Sequence, residues 1–185
     1  MTGHELVTHL RESILDDTQI PYLWSDNELL RFLNYAEVQA CRRAHILIDA
    51  TTPADYGTSS TAVGNPICEI VLVPNQATYP LSNKVLQVKR CQLVNVDHQL
   101  IGPLHYPDLD EKIPDWQGTN GQVGVCGSGG YPDVFMNEPV NSITFVRAPS
   151  AAGTAKLVVS RLPLIPFTLQ TSPEIDERYH INLCD

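Results

Sequence analysis

Three parts of the 185-residue chain carry residue types that do chemistry. The first is the glycine-rich stretch GVCGSGG, residues 124–130. Such a loop offers backbone N–H groups to a phosphate, but a phosphate-binding loop also needs a Lys-Ser/Thr pair and a strand–loop–helix frame. Neither follows, so a turn-forming loop is the plainer reading. The second is DLDE, with Asp108, Asp110 and Glu111. These are hard oxygen donors, yet the glycine and the distant bidentate glutamate of a calcium loop are absent. A solvated turn accounts for them. The third is the set of six histidines, at positions 4, 9, 45, 98, 105 and 180, which never fall into H-x-x-x-H spacing. His98 and His105 lie near Cys91, the one combination that suggests zinc, but without paired spacing. No nucleophile elbow accompanies the Ser, His and Asp residues. The sequence therefore gives no catalytic, metal-ligating or cofactor-binding set. An activity abolished by changing Cys126 or His105 would overturn that reading.

Composition narrows the function classes further. There are 12 basic and 21 acidic residues, a net charge of −9, which opposes a grip on nucleic acid through its phosphates. Charged residues make up 18% of the chain, below the roughly 25% of ordinary soluble domains. A surface with so few charges is either partly covered in contacts or polar and loop-rich. The five cysteines, Cys41, Cys68, Cys91, Cys126 and Cys184, are odd in number and contain no C-x-x-C pair. That pattern fits a reducing compartment without a disulfide framework. The N-terminus MTGHELVTHL has no basic start and no apolar core. No apolar run approaches the roughly 20 residues of a membrane span. The expectation is a soluble protein made in a cytoplasm, with no membrane partner.

The elements that must position these residues are legible in part. Thr2 and Glu5 have capping-box spacing, and Leu6, Leu10 and Ile14 follow at helical intervals until DDTQIP ends the run. In WSDNEL, Ser25 caps a second helix, Glu28 reaches back, and Trp24 is placed to staple onto Leu29. Leu29, Leu33, Ala36, Ala40 and Ala44 mark one face, predicting a helix to about Leu47, with Arg31, Asn34 and Arg42 off that face and Arg42, Arg43 and Arg31 together on the helix. The arginines form either a solvated face or a basic spot for an acidic partner. Residues 49–65 have no periodicity and read as a long loop. From residue 66 the pattern is that of strands. ICEIVLV (67–73) is apolar on both faces, like a central strand; 84–96 alternates with phase slips that suggest a bulge. Residues 141–162 form the clearest hairpin, turning at APSAAGT. A short helical turn is expected near Asp108–Lys112.

At the C-terminus, Ser172 and Pro173 open a helix, with Glu174 and Asp176 in its first turn and Ile175, Tyr179 and Leu183 as an apolar stripe. A helix this short is marginal in water and needs a docking surface. The element order predicts an α+β protein: a small helical bundle built from both chain ends, with an inserted antiparallel β domain. The segments are 1–48 (bundle helices), 49–65 (loop), 66–166 (β insertion) and 167–185 (returning helix). The last stripe is expected to pack on Leu29, Leu33 and Ala36.

Four stretches in this order, YLWSDNELLRFLNYAEVQACRR, LDEKIPDW, VSRLPL and SPEIDERYHINLCD, together resemble the head-to-tail adaptor (connector) proteins of tailed double-stranded DNA phages. The likeness covers about residues 1–48 and 84–185. It implies a virion structural protein at the neck, forming a commonly twelve-fold ring of identical copies between the portal protein and a tail or nozzle protein. Double-stranded DNA would pass through the lumen without specific binding, which suits a net acidic ring. Trp24, Leu29, Leu33, Ala36, Arg42, Arg43, Ile175, Tyr179 and Leu183 are then the bundle and interface candidates. Tyr56, Trp116 and Tyr131 are candidates for loop contacts, in segments 49–65 and 117–133 expected to meet other subunits. Such adaptors continue past the motif matched at Tyr179–Asp185, so the resemblance implies further chain beyond it. The alternatives are another neck or tail-completion protein, or a non-catalytic β-domain binding module gripping through exposed aromatics.

Overall fold

Thr2 and Ser25 start the first two helices in the way their spacing to Glu5 and Glu28 requires. In the computed structural model, which describes residues 1–55, 64–113, 116 and 130–184, both capping boxes are closed. The Thr2 N–H donates to Glu5 at 2.8 Å and the Ser25 N–H to Glu28 at 3.0 Å. Helix α1 spans Gly3–Leu10 and passes into a π-helical turn, Arg11–Leu15, which ends at left-handed Asp16. Helix α2 spans Asp26–Ala44 and stops short of Leu47 because His45 takes the left-handed conformation, φ 50°. Its buried row is Leu29, Leu33, Glu37 and Cys41, four residues apart throughout. The expected alanine row lies to one side: Ala36 and Ala40 are half-buried and Ala44 is exposed.

The chain divides into two units, residues 1–47 with 161–185, and residues 48–160. In the first, the C-terminal segment lies with α1 and α2, but it is not the α-helix expected from Pro173. Two 3-10 turns, Glu177–Tyr179 and Ile181–Leu183, take its place, and Asp176 rather than Ser172 caps them. The reason is local competition. His180 Nε2 lies 3.0 Å from the Ile175 carbonyl, which an α-helix would offer to the Tyr179 N–H. The Tyr179 N–H instead donates to Asp176 O. The tighter turn changes what is buried: Ile175, His180 and Leu183 go in, while Tyr179 turns out. Close approach also explains Gly3, where a Cβ would sit 2.3 Å from the Thr168 carbonyl oxygen.

The second unit is antiparallel sheet. Strands β1 (Ile48–Asp49), β10 (Gly153–Arg161), β6 (Val85–Leu93) and β7 (His98–Gln99) lie in that order, and β4 (Glu69–Leu72) also pairs with β10. A second sheet has the order β5 (Thr78–Pro80), β9 (Ser142–Val146), β8 (Val134–Met136). Strands β2 (Ala54–Asp55) and β3 (Asn65–Pro66) form a ribbon of their own. Three expectations change here. The 49–65 loop contains β2 and the start of β3, with Asp49 accepting from the Thr51 and Thr52 N–H groups. β4 is not central: it alternates out and in, Val71 is exposed, and β10 is its sole partner among the described residues. Residues 141–162 are not a hairpin, since β9 and β10 belong to different sheets. Alternation identified both as strands, but all five residues of β9 are buried, as in the middle strand of its own sheet. The buried residues of β6 (Val85, Val88, Cys91, Leu93) break strict alternation.

Tyr79 of β5 packs on its neighbour strand and reaches the chain just after β4. Its ring meets Phe145 edge-on at 5.6 Å, and its hydroxyl donates to Val73 O while accepting the Val73 N–H. The chain after β7 lies beside β8, with the Phe135 N–H donating to Ile101 O and the Leu104 N–H to Phe135 O. This close pass demands Gly102, φ +145°, where a Cβ would meet Phe135 O at 2.5 Å. Helix α3 (Tyr106–Lys112) follows, at the helical turn the sequence predicts.

Candidate assembly interface

A single arginine organises the most exposed apolar segment of the first unit. Arg11, in the π-helical turn, is buried. It donates to Asp17 at 2.6 Å, to Asp26 at 2.7 Å and to the Trp24 carbonyl at 2.5 Å, and its guanidinium lies 4.1 Å from the Tyr22 ring centre. Asp17 completes the frame by accepting the Leu23 N–H at 2.8 Å and the Trp24 N–H at 3.3 Å. The Leu23 hydrogen bond, with the Trp24 bond and Arg11 behind it, holds the Asp17 carboxyl below the usual range. The segment these bonds fix is Ile-Pro-Tyr-Leu-Trp, residues 20–24, with Ile20 83% and Leu23 79% exposed. Its main chain is held at Leu23 and Trp24, and its apolar side chains face solvent. Beside it, Trp24 meets Phe32 edge-on at 6.4 Å, and Phe32 and Tyr35 are exposed on α2.

The opposite face of α2 holds the C-terminal segment through its main chain. Asn34 Oδ1 accepts the Phe167 N–H at 2.9 Å and its Nδ2 donates to Phe167 O at 3.0 Å. Glu37 Oε1 accepts the N–H groups of Glu174 and Ile175 at 2.8 and 3.3 Å. Burial pushes the Glu37 carboxyl up, against the opposing pull of those two donors. Glu174 in turn pairs with Arg161 at 2.6 Å and accepts the Leu164 and Ile165 N–H groups.

The sequence-predicted residues divide accordingly. Leu29, Leu33, Ile175 and Leu183 are buried in the first unit. Ala36 is half-buried, and Trp24 and Tyr179 are exposed. Arg42 and Arg43 are exposed and make no ion pair among the described residues. Tyr56 lies outside the described residues. Trp116 is not an exposed grip: at 4% exposure it packs with Leu109, Val134, Met136 and Val146, and its Nε1 donates to Asp110 at 2.9 Å. DLDE thus builds this small core, with Asp108 accepting the His105 N–H at the start of α3. Tyr131 is half-buried, its hydroxyl donating to Ala152 O. Sequence reasoning missed Arg11, Asn34 and Glu37, and also Ile20, Tyr22, Leu23, Phe32 and Tyr35. A signal existed for the aromatics: Tyr35 falls opposite the Leu29–Leu33 row and Phe32 at its edge.

Among the described residues, no three His, Cys, Asp or Glu side chains gather as a metal site. His98 faces Asp133 at 3.3 Å and His105 faces Glu138 at 3.7 Å. Burial pushes the Cys91 thiol up to about 12 and the Cys41 thiol to about 11, so both stay protonated and unreactive at neutral pH. Among the described residues, no helix is long and apolar enough to cross a membrane.

The first unit of this α+β chain thus exposes an apolar knob at residues 20–24 and aromatic helix positions. The family model described as SU10 adaptor protein matches residues 1–185, and the chain belongs to that family. The match bears out the resemblance to phage head-to-tail adaptors and makes this a phage adaptor structural protein. No curated protein matches the sequence.

Proposed function

We propose that this protein forms an oligomeric ring at the neck of a tailed phage, between the portal and the tail or nozzle. The observation that carries this reading is the apolar knob at residues 20–24, held at Leu23 and Trp24 by Arg11 and Asp17 while its side chains face solvent. A free surface of this kind is explained by a partner. Family membership supplies the partner class, portal and tail proteins. Ring size follows the family resemblance, twelve copies. The net charge of −9 suits a lumen through which DNA slides without adhering. Electron microscopy of the protein mixed with its portal tests the reading: rings capping the portal are expected, and unadorned portals with free monomer would refute it. A map with Asp and Glu confined to the outer surface would reject the lumen argument.

A further inference from the structure

The first unit carries two exposed apolar surfaces flanked by charges of opposite sign. One is the knob of Ile20 and Leu23, with exposed Glu12 and Asp16 beside it. Glu12 lines the same cleft as Asp17, Thr18 and Tyr22, and Asp16 directly precedes the Asp17 that anchors the knob. Neither acid makes an ion pair among the described residues. The other surface is the outer face of α2. At about 100° per residue, Phe32, Tyr35, Gln39, Arg42 and Arg43 fall within a sector of roughly 100°, across the helix from its buried row. That face is aromatic toward its start and doubly basic at its end, about 16 Å further along the axis.

We propose that Ile20 and Leu23 of one copy seat against Phe32 and Tyr35 of the next, with Glu12 and Asp16 facing its Arg42 and Arg43. The inference rests on the adaptor reading and names the contact by which copies join. Charge selects the occupant. Knob against knob would bring four unpaired carboxylates together, and face against face four guanidinium groups, whereas knob against face pairs them. The two patches adjoin through Trp24 and Phe32 of one chain, and each copy places its knob on one neighbour and its helix face on the other, a heterologous contact; wild-type copies that stop at reciprocal pairs would overturn it. This arrangement closes into a ring when the rotation permits. The Arg11–Asp17 frame holds the knob's main chain at Leu23 and Trp24 beforehand, which lowers the ordering cost of association.

The test places the photo-crosslinker benzoylphenylalanine at position 23 of the full chain, in an equal mixture of isotopically light and heavy copies assembled on the portal. Light–heavy adducts mapping to residues 32–43 are expected. Adducts to portal or tail protein, to another segment of this chain, or no adduct between copies would overturn the proposal. Two variants sharpen it: Leu23→Glu, and the double variant Arg42→Glu with Arg43→Glu, each checked for native circular dichroism. Each alone is expected to lose at least tenfold in assembly. Their mixture is expected to give two-copy complexes and nothing larger, because one intact knob and one intact face remain. Rings from Leu23→Glu would refute this contact while leaving the adaptor role standing. Light–heavy adducts at 32–43 in solution with no ring on the portal would refute the adaptor role and leave the contact standing.

Discussion

In the second unit the largest groups taken out of water are apolar, Phe135, Phe145, Ile143 and Leu157, and apart from Asp49 the buried polar ones are small hydroxyls such as Ser82, Thr144 and Ser160. In the first unit the buried row of α2 has a carboxylate in it, Glu37, and its neighbour Asn34 is also a polar clamp. The two units are solved by different physics. Sheets satisfy their own backbones, so their faces are free to be hydrocarbon. The segment from residue 161 onward has little regular structure, so side chains of α2 must accept what a ladder or helix would have accepted.

The sharpest way to test this contrast is to remove one group of each kind. Phe145→Ala is expected to destabilise the second unit by about 3–5 kcal/mol, read by urea unfolding in a Trp24→Phe background where Trp116 reports. Glu37→Leu leaves the buried Ile175 N–H unpaired, at about 1–3 kcal/mol, and the half-buried Glu174 N–H at less. Hydrogen exchange should quicken at residues 174 and 175 while the sheets keep their protection. Glu37→Gln keeps the accepting oxygen and should restore slow exchange. If Leu and Gln behave alike, the clamp is not what holds the tail.

Acidity should separate the units too. The folded Glu37 carboxyl titrates above its ordinary 4.5, so its contribution is full below the unfolded value and fades as pH rises through the folded one. Asp17 titrates below its ordinary 3.8, and its contribution, present above that value, is lost as pH falls through the folded one. The first unit therefore responds between mild and strong acid, and Glu37→Gln should flatten the milder part. At alkaline pH both units respond, the first through Cys41, held up to about 11, and the second through Cys91. Cys91 stays protonated up to about 12 when folded, so stability falls as pH rises above the ordinary 9.0. Unit-resolved hydrogen exchange across pH checks both signs. The smallest effect is expected at the helix start: Ser25→Ala removes one cap, about 1 kcal/mol, lowering the melting temperature of the first unit alone.

The same contrast explains what the sequence disclosed. Capping boxes are local, so Thr2, Glu5, Ser25 and Glu28 announced both N-terminal helices correctly. Alternation showed 142–146 and 153–161 to be strands, but it records which face is buried and not which strand lies alongside, so two sheets were read as one hairpin. The C-terminal turn was misread because His180 reaches back to Ile175, a competitor that helix signals do not register. Trp116 looked like an exposed aromatic in a polar loop; only folding brings it to Asp110 and Leu109. Of the candidate interface, the arginines were visible as a basic spot on the helix. The knob was not, because an exposed apolar run in a sequence looks like any buried one until Arg11 is seen holding it outward.

Asn34 and Glu37 touch only peptide groups of the segment they bind, and a peptide group is the same whatever residue carries it. The two clamps are thus indifferent to the spelling of that segment at 167, 174 and 175, so long as proline, which has no N–H, is absent from those three places. What restricts those places is instead their own side chains: Phe167 and Ile175 are buried, and Glu174 pairs with Arg161.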